Sequence, residues 1–282
     1  MSFLSSSAPR RASRPRVSAL VVLRSGDRFR AKLGRMTGRD QPPSGTDLSC
    51  RPDLRLERSF SDRGCGLVAG VDEVGRGAWA GPVSVGVVVV DLASAGPPPE
   101  GLADSKLLAP ASRRALVPAI RAWAAACAVG HASAVEVDAF GIVAALRTAA
   151  WRALGELAVG GCRPQAILLD GSHDWLSGPE PVRGGGAAPP TARLSGPEPA
   201  AAGEIPGLEV RTVVRGDGRC ATVAAASVVA KVTRDDLLVA AAQDHPGYGF
   251  ERHKGYGTAA HRAALASLGT CSLHRLTWRG VG

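Results

Sequence analysis

The sequence predicts a single α/β domain built on a mixed central sheet flanked by helices. Three observations predict it. Continuous apolar runs at residues 66–73 and 83–92 suit strands covered on both faces. Alanine- and leucine-rich stretches with helical spacing follow them, at 112–127, 141–157, 221–242 and 258–268. Short strand-like runs at 166–170 and 208–214 fall between those helices. The 282 residues suffice for one substantial core, and with only 4% aromatics that core must be built from Ala, Val, Leu and Ile.

Residues 1–62 are rich in Arg, Ser, Pro and Gly without sustained periodicity, and they read as a disordered basic extension, with Met36 as an alternative start. Nine of the arginines and lysines precede Met36 against one acid there, Asp27. Of the net charge of +9, about +8 therefore lies upstream of Met36, and the body is nearly neutral. A nucleic-acid site in the body has to be local. The apolar stretch at 17–23 is too short to span a membrane, and Arg24-Ser25-Gly26-Asp27 follows it in place of a small-residue cleavage site. The six cysteines (Cys50, Cys65, Cys127, Cys162, Cys220 and Cys271) form no C-x-x-C pair, so neither a disulfide framework nor a zinc site is expected. Cytoplasm is the expected compartment.

The remainder, 63–282, reads as the folded domain. The first strand ends in Asp72-Glu73, and a Gly81-Pro82 break separates it from the Val-dominated second. Pro118 should kink or divide the first helix. The strand at 166–170 ends in Asp170. Pro- and Gly-rich sequence follows, in which LSGPEP occurs twice, and it reads as a surface insertion at about 176–207. The last strand leads into a turn at Gly216-Asp217-Gly218.

Four acids thus stand at strand ends or in the turn after one: Asp72, Glu73, Asp170 and Asp217. Strand-terminal carboxylates can meet on one sheet edge, where they repel unless a cation lies between them. Oxygen ligands of this kind suit Mg²⁺ or Mn²⁺ better than zinc. Acids at strand ends also commonly face water, so this pattern alone indicates only a candidate divalent-metal site. Gly75-Arg76-Gly77, directly after Asp72-Glu73, is a tight turn whose backbone N–H groups can approach a phosphate beside a guanidinium.

Joined to Gly81-Pro82-Val83, that opening closely resembles the signature of the ribonuclease HII family. Asp104-Ser105-Lys106, Leu169-Asp170-Gly171, residues 224–227, residues 230–235, His253-Lys254-Gly255-Tyr256-Gly257-Thr258 and His274-Arg275-Leu276 are similar to the family's later segments, in the same order. The resemblance runs from about Gly66 to Trp278 and implies a monomeric ribonuclease H-like domain acting on RNA–DNA hybrids and on duplex DNA with embedded ribonucleotides. It makes Asp72, Glu73, Asp170 and Asp217 the catalytic, metal-binding carboxylates of a two-metal hydrolysis. The cut would fall 5′ to the ribonucleotide and leave 3′-hydroxyl and 5′-phosphate ends. It also makes Gly75, Arg76 and Gly77 the grip on the backbone and Tyr256 the sensor of the ribose–deoxyribose junction. Lys106, Lys254, Lys231, Arg234 and His253 are expected near flanking phosphates. Asp235 rivals Asp217 as fourth acid, and Asp217 is preferred because Arg215-Gly216-Asp217 is similar to the family's Lys-Gly-Asp turn. The arginine there, the long segment after Asp170 and the N-terminal extension depart from the family pattern. Two other readings stand beside this one: a resolvase-like nuclease of the same broad fold, and a non-catalytic protein that binds nucleic acid through its basic arm.

A chain starting at Met36 should keep its fold and its requirement for a ribonucleotide. Its affinity for a single-ribonucleotide duplex should fall mainly at low salt, and the slope of affinity against salt should flatten. Loss of folding or of ribonucleotide selectivity on truncation would place the extension inside the working domain.

Overall fold

The computed structural model describes residues 51–177 and 208–281. Five strands form one sheet: β1 (Leu67–Val74), β2 (Val83–Asp91), β3 (Ala126–Ala132), β4 (Ala166–Asp170) and β5 (Glu209–Val213). Their order is β3, β2, β1, β4, β5. β2 pairs antiparallel with both β1 and β3, whereas β1, β4 and β5 run parallel. The mixed α/β sheet expected from the sequence is therefore present. The helices are α1 (Arg55–Arg58), α2 (Pro110–Trp123), α3 (Ala134–Phe140), α4 (Ile142–Val159), α5 (Ala221–Asp244), α6 (Phe250–His253) and α7 (Ala259–Leu268). No helix among the described residues is long and apolar enough to cross a membrane.

The sheet is covered on both faces, which explains its unbroken valine runs. Val83, Val85, Val87 and Val89 of β2 pack with Ala145, Leu146, Ala149 and Ala153 of α4. Val88 and Val90 turn the other way, onto α5 and onto Leu116 and Ile120 of α2. The contacts are unusually close because glycine faces helix backbone. A Cβ on Gly70 would lie 2.2 Å from the Thr222 carbonyl carbon, and one on Gly86 would lie 2.5 Å from the Ala226 oxygen. On the opposite face, a Cβ on Gly130 would lie 1.9 Å from the Ala149 oxygen.

Three expectations need correction. The helix expected over 112–127 ends at Trp123, and Cys127 belongs to β3. Its alanine-rich sequence favours a helix, but pairing along β2 decides the outcome. Pro118 does not divide α2, because it sits on the exposed side where the carbonyl it leaves unbonded meets water. The third concerns residues 51–62, which are folded and extend the domain past the expected boundary at 62/63. Leu54 and Phe60 are buried, Ala221 N–H donates to Asp53 O at 2.9 Å, and the buried Glu57 accepts from both Thr222 N and Thr222 Oγ1 at 2.8 Å. That short segment has too few apolar residues to show a period. Residues 1–50, and all of the expected insertion beyond Ser177, lie outside the described residues. At the start of that insertion Leu176 is buried, as is Trp175 before it.

Gly130→Ala should destabilise the protein by about 1–3 kcal/mol through overpacking against α4. Gly155→Ala, on the exposed side of α4 with open space around it, should stabilise by about 0.5–1 kcal/mol. Urea denaturation of both variants checks this pair, and a neutral Gly130→Ala would contradict the packing.

Candidate active site

Strand pairing builds the acidic cluster. β1 and β4 are in parallel register at Val71 and Leu169, so the next residues, Asp72 and Asp170, emerge side by side at the same sheet edge. Alternation puts Asp72 on the face of Gly70, toward α5, and Glu73 on the other. After β5, Arg215 takes a left-handed conformation (φ 55°) and turns the chain into the single 3₁₀ turn Gly216–Gly218. Gly216 N–H then donates to Asp170 Oδ1 at 2.7 Å, which brings the buried Asp217 to the two strand-end acids.

Burial first, and then the charges of Asp170, Glu73 and Asp217, push the Asp72 carboxyl well above the usual carboxylate range. Asp170 is raised by burial and by Asp217, against the opposing pull of the Gly216 and Asp217 N–H groups. Burial raises Glu73 as well, although Arg76 Nη1, 3.4 Å from Glu73 Oε1, pulls the other way. Lys106 answers this concentration of negative charge. Its Nζ is 2.9 Å from Asp217 Oδ2, and this bond raises the ammonium pKa although partial burial opposes it. The Asp104 side chain fixes the lysine's turn by accepting from Lys106 N at 2.9 Å, and Ser105 N–H donates to Ser227 Oγ of α5 at 3.2 Å.

Among the described residues, no three Asp, Glu, His or Cys side chains stand close enough to cage an ion as they are. The donor set nevertheless fits a hard divalent cation: it is all carboxylate, partly desolvated and mutually repelling, and Lys106 bonds only Asp217 within it.

Beside the acids, two loops are bound to each other. Gly75 has φ 84° and starts the Gly75-Arg76-Gly77 turn, on which Arg76 is half-exposed. Trp79 and Ala80 N–H both donate to Gly255 O, at 2.8 and 3.1 Å. Gly255 itself has φ 82°, and a Cβ there would lie 2.2 Å from Ala80 O. Tyr256 follows, with Lys231 Nζ 5.8 Å and the Arg234 guanidinium 5.5 Å from its ring centre. A one-way chain of hydrogen bonds fixes its backbone. Cys271 N–H donates to His274 Nδ1 (2.9 Å), His274 Nε2 to His261 Nε2 (3.0 Å), and His261 Nδ1 to Tyr256 O (3.0 Å). Next to Tyr256 lies a groove of about 320 Å³ whose lining includes Arg113, Arg114, Lys231, Arg252 and Lys254.

The structure thus gathers Asp72, Glu73, Asp170, Asp217 and Lys106 at one edge, with Gly75, Arg76 and Gly77 directly following the strand that carries two of the acids. Tyr256 and Lys254 reach that loop through the Gly255 contacts. Asp235, in α5, pairs with Lys231 at 2.8 Å and lines the groove beside Tyr256. Arg234, expected at a flanking phosphate, is fully buried instead, whereas His253 is half-buried and lines the groove beside Tyr256, its ring held by Tyr248 O and Gly255 N. Sequence reasoning missed the structural work of Arg234, Arg275, His261 and His274, because nothing in a local pattern distinguishes a buried arginine from a solvated one.

A family profile described as Ribonuclease HII matches residues 69–281. The ribonuclease HII of Streptomyces avermitilis is 43% identical over 228 residues, 80% of this chain and 83% of that protein. Among solved structures, the RNase HII of Archaeoglobus fulgidus, in a complex with PCNA, superposes with a TM-score of 0.54 at 26% identity, over 76% of this chain and 95% of that one. Bst-RNase HIII, solved with Mn²⁺, gives 0.51 at 16% identity, over 76% of this chain and 68% of that one, and this shows a shared fold alone.

The raised Asp72 pKa carries a stability sign. Relative stability is full below the unfolded carboxylate pKa and is lost as pH rises through the raised folded value, so at neutral pH the cation-free protein bears the penalty. In EDTA at neutral pH, Asp72→Asn should therefore raise Tm by a few degrees, about 1–2 kcal/mol. Mg²⁺ or Mn²⁺ should raise the Tm of the unaltered protein more than that of the variant. A variant that melts lower in EDTA would contradict the reading of the cluster.

Proposed function

The chain belongs to the ribonuclease HII family and is a ribonuclease H hydrolase, and from that premise we propose that it nicks duplex DNA 5′ to embedded ribonucleotides and cuts the RNA strand of RNA–DNA hybrids, leaving 3′-hydroxyl and 5′-phosphate ends. The observation that carries the proposal is the meeting of Asp72, Asp170 and Asp217 beside the Gly75–Gly77 turn. Asp72, Glu73, Asp170 and Asp217 would hold two Mg²⁺ or Mn²⁺ ions. When bound, such ions lower the pKa of water and neutralise charge on the phosphate and the departing oxygen.

The chain's own groups do the rest. Gly75-Arg76-Gly77 offers backbone N–H groups and a half-exposed guanidinium to the phosphate at the ribonucleotide. Tyr256, on a loop bound to the same turn, carries a hydroxyl and an aromatic face suited to telling a 2′-hydroxyl from hydrogen. Lys106 keeps Asp217 oriented and partly neutralised until substrate arrives. Lys254 and the basic groove beside Tyr256 suit the phosphates that flank the cut. The chemistry asks for no protein nucleophile and no partner chain, so a monomer suffices. Ribonucleotide removal and degradation of RNA primers are the roles such an activity serves.

The test uses a duplex with one ribonucleotide, with and without Mg²⁺ or Mn²⁺. The protein should make a single metal-dependent nick and leave the all-DNA duplex intact. Asp217→Asn should lower turnover by about 100-fold or more, in keeping with the several kcal/mol a cation supplies. Asp235→Asn should stay within about tenfold of the unaltered enzyme, since that acid pairs with Lys231. The reverse order of the two variants would make Asp235 the fourth carboxylate, and cleavage of the all-DNA duplex would favour a resolvase-like nuclease.

A further inference from the structure

Behind the two loops lie two arginines that are fully buried and have no carboxylate partner among the described residues. The Arg275 guanidinium donates to three carbonyls: Gly75 O (2.8 Å), Arg76 O (3.0 Å) and Gly81 O (3.0 and 3.2 Å). Arg234 donates to Pro82 O (2.8 Å), Lys254 O (3.0 Å) and Ala80 O (3.1 Å). Burial and the nearby Arg234 pull Arg275 down to about 10, which still leaves it charged at neutral pH.

We propose that Arg275 and Arg234 are positioning residues for phosphodiester recognition: Arg275 arms the backbone amides of the Gly75–Gly77 turn, and Arg234 sets the gap between that turn and Tyr256. The proposal rests on the function assigned above.

The peptide units explain how Arg275 acts. The carbonyl of Gly75 shares its peptide with Arg76 N–H, and the carbonyl of Arg76 shares its peptide with Gly77 N–H. A carbonyl that accepts from a cation polarises its own peptide and makes the N–H at the other end a stronger donor. Those two N–H groups have no hydrogen-bond partner among the described residues. Space is open beside Gly77, where an added Cβ would meet nothing within 4 Å. The turn therefore presents two polarised donors to an open side, with a buried positive charge behind them. An anion is the ligand that such a receptor favours.

Arg234 acts on spacing. It ties Ala80 and Pro82, which follow the turn, to Lys254, which precedes Gly255 and Tyr256. Gly75 packs against it so closely that a Cβ there would lie 2.1 Å from Arg234 Nε. A neutral side chain could fill this volume. Burying a guanidinium without a counter-ion is expensive, and a purely mechanical brace does not need one.

The test compares Arg275→Lys, Arg275→Gln and Arg234→Lys in the full chain, on the single-ribonucleotide duplex. For Arg275→Gln, KM should rise about tenfold or more, a loss of about 1.4 kcal/mol or more in binding. Its kcat should change much less, and the rise in Tm on adding Mg²⁺ should persist, because the carboxylates are untouched. Arg275→Lys keeps the charge and should recover part of the KM. Arg234→Lys should lose discrimination between ribose and deoxyribose at the cut. Equal effects of Lys and Gln at 275, or losses confined to kcat and Tm, would assign these arginines a merely structural role and overturn the proposal. A measurement on the unaltered protein decides even if the variants do not fold. With the duplex added in EDTA, the amide resonances of Arg76 and Gly77 should move downfield, and unmoved resonances would overturn the proposal. A protein that shows those shifts yet cuts no ribonucleotide-containing duplex would refute the assigned function and leave the anion receptor standing.

Discussion

The close approach of α5 to the sheet is the constraint on which the rest depends. Gly70 and Gly86 lie against the backbone at Thr222 and Ala226, so no side chain separates helix from strand there. The contact fixes how far α5 stands from β1, and α5 carries both Ser227, which docks the Lys106 turn, and Arg234. The strand it presses on carries Asp72 and Glu73. The strand-end acids and the two loops thus share one rigid reference, which is how a site gains precision from regular elements more than from loops. Glu57, locked onto Thr222 at the first turn of α5, holds the same helix from the N-terminal side.

Electrostatics gives that frame its tension. Three of the acids are pushed toward protonation by burial and by one another, and among the described residues Lys106 and Arg76 are the cations that oppose this. The two compensating groups differ in kind. Arg76 is half-exposed at 3.4 Å from Glu73, so solvent screens much of the attraction, whereas Lys106 makes a direct bond to the buried Asp217. A site of this sort is under-neutralised by design of its packing, and a cation relieves it.

Much of this was legible in the sequence. The acids declared themselves by standing at the ends of apolar runs, and the order of the surrounding segments gave them a family. That strand-end acids could meet on one sheet edge was legible, whereas the direct parallel pairing of β1 with β4 was not. The segments that escaped were those whose fate is decided at long range. Ala126 and Cys127 close an alanine-rich run that favours a helix, and they join a strand because β2 offers it an edge. Residues 51–62 carry only a few apolar anchors, Leu54 and Phe60 among them, and fold because α5 and β4 supply the other side. Arg234 looked like a phosphate ligand because a charge in a helix gives no sign of which way it faces. His274-Arg275 was visible as a segment, but its role depends on carbonyls some 200 positions away.

The histidine chain behind Tyr256 runs in one direction and needs both rings neutral. Burial, with the charges of His253 and His274, drives His261 down to about 4 despite the Tyr256 carbonyl, and burial lowers His274 too. Both rings are therefore held more firmly in the neutral form than an exposed histidine would be. The raised carboxylates change charge above their normal range while that relay stays intact. Acid thus meets Asp72 above the usual carboxylate range, whereas His261 is held below the usual imidazole range.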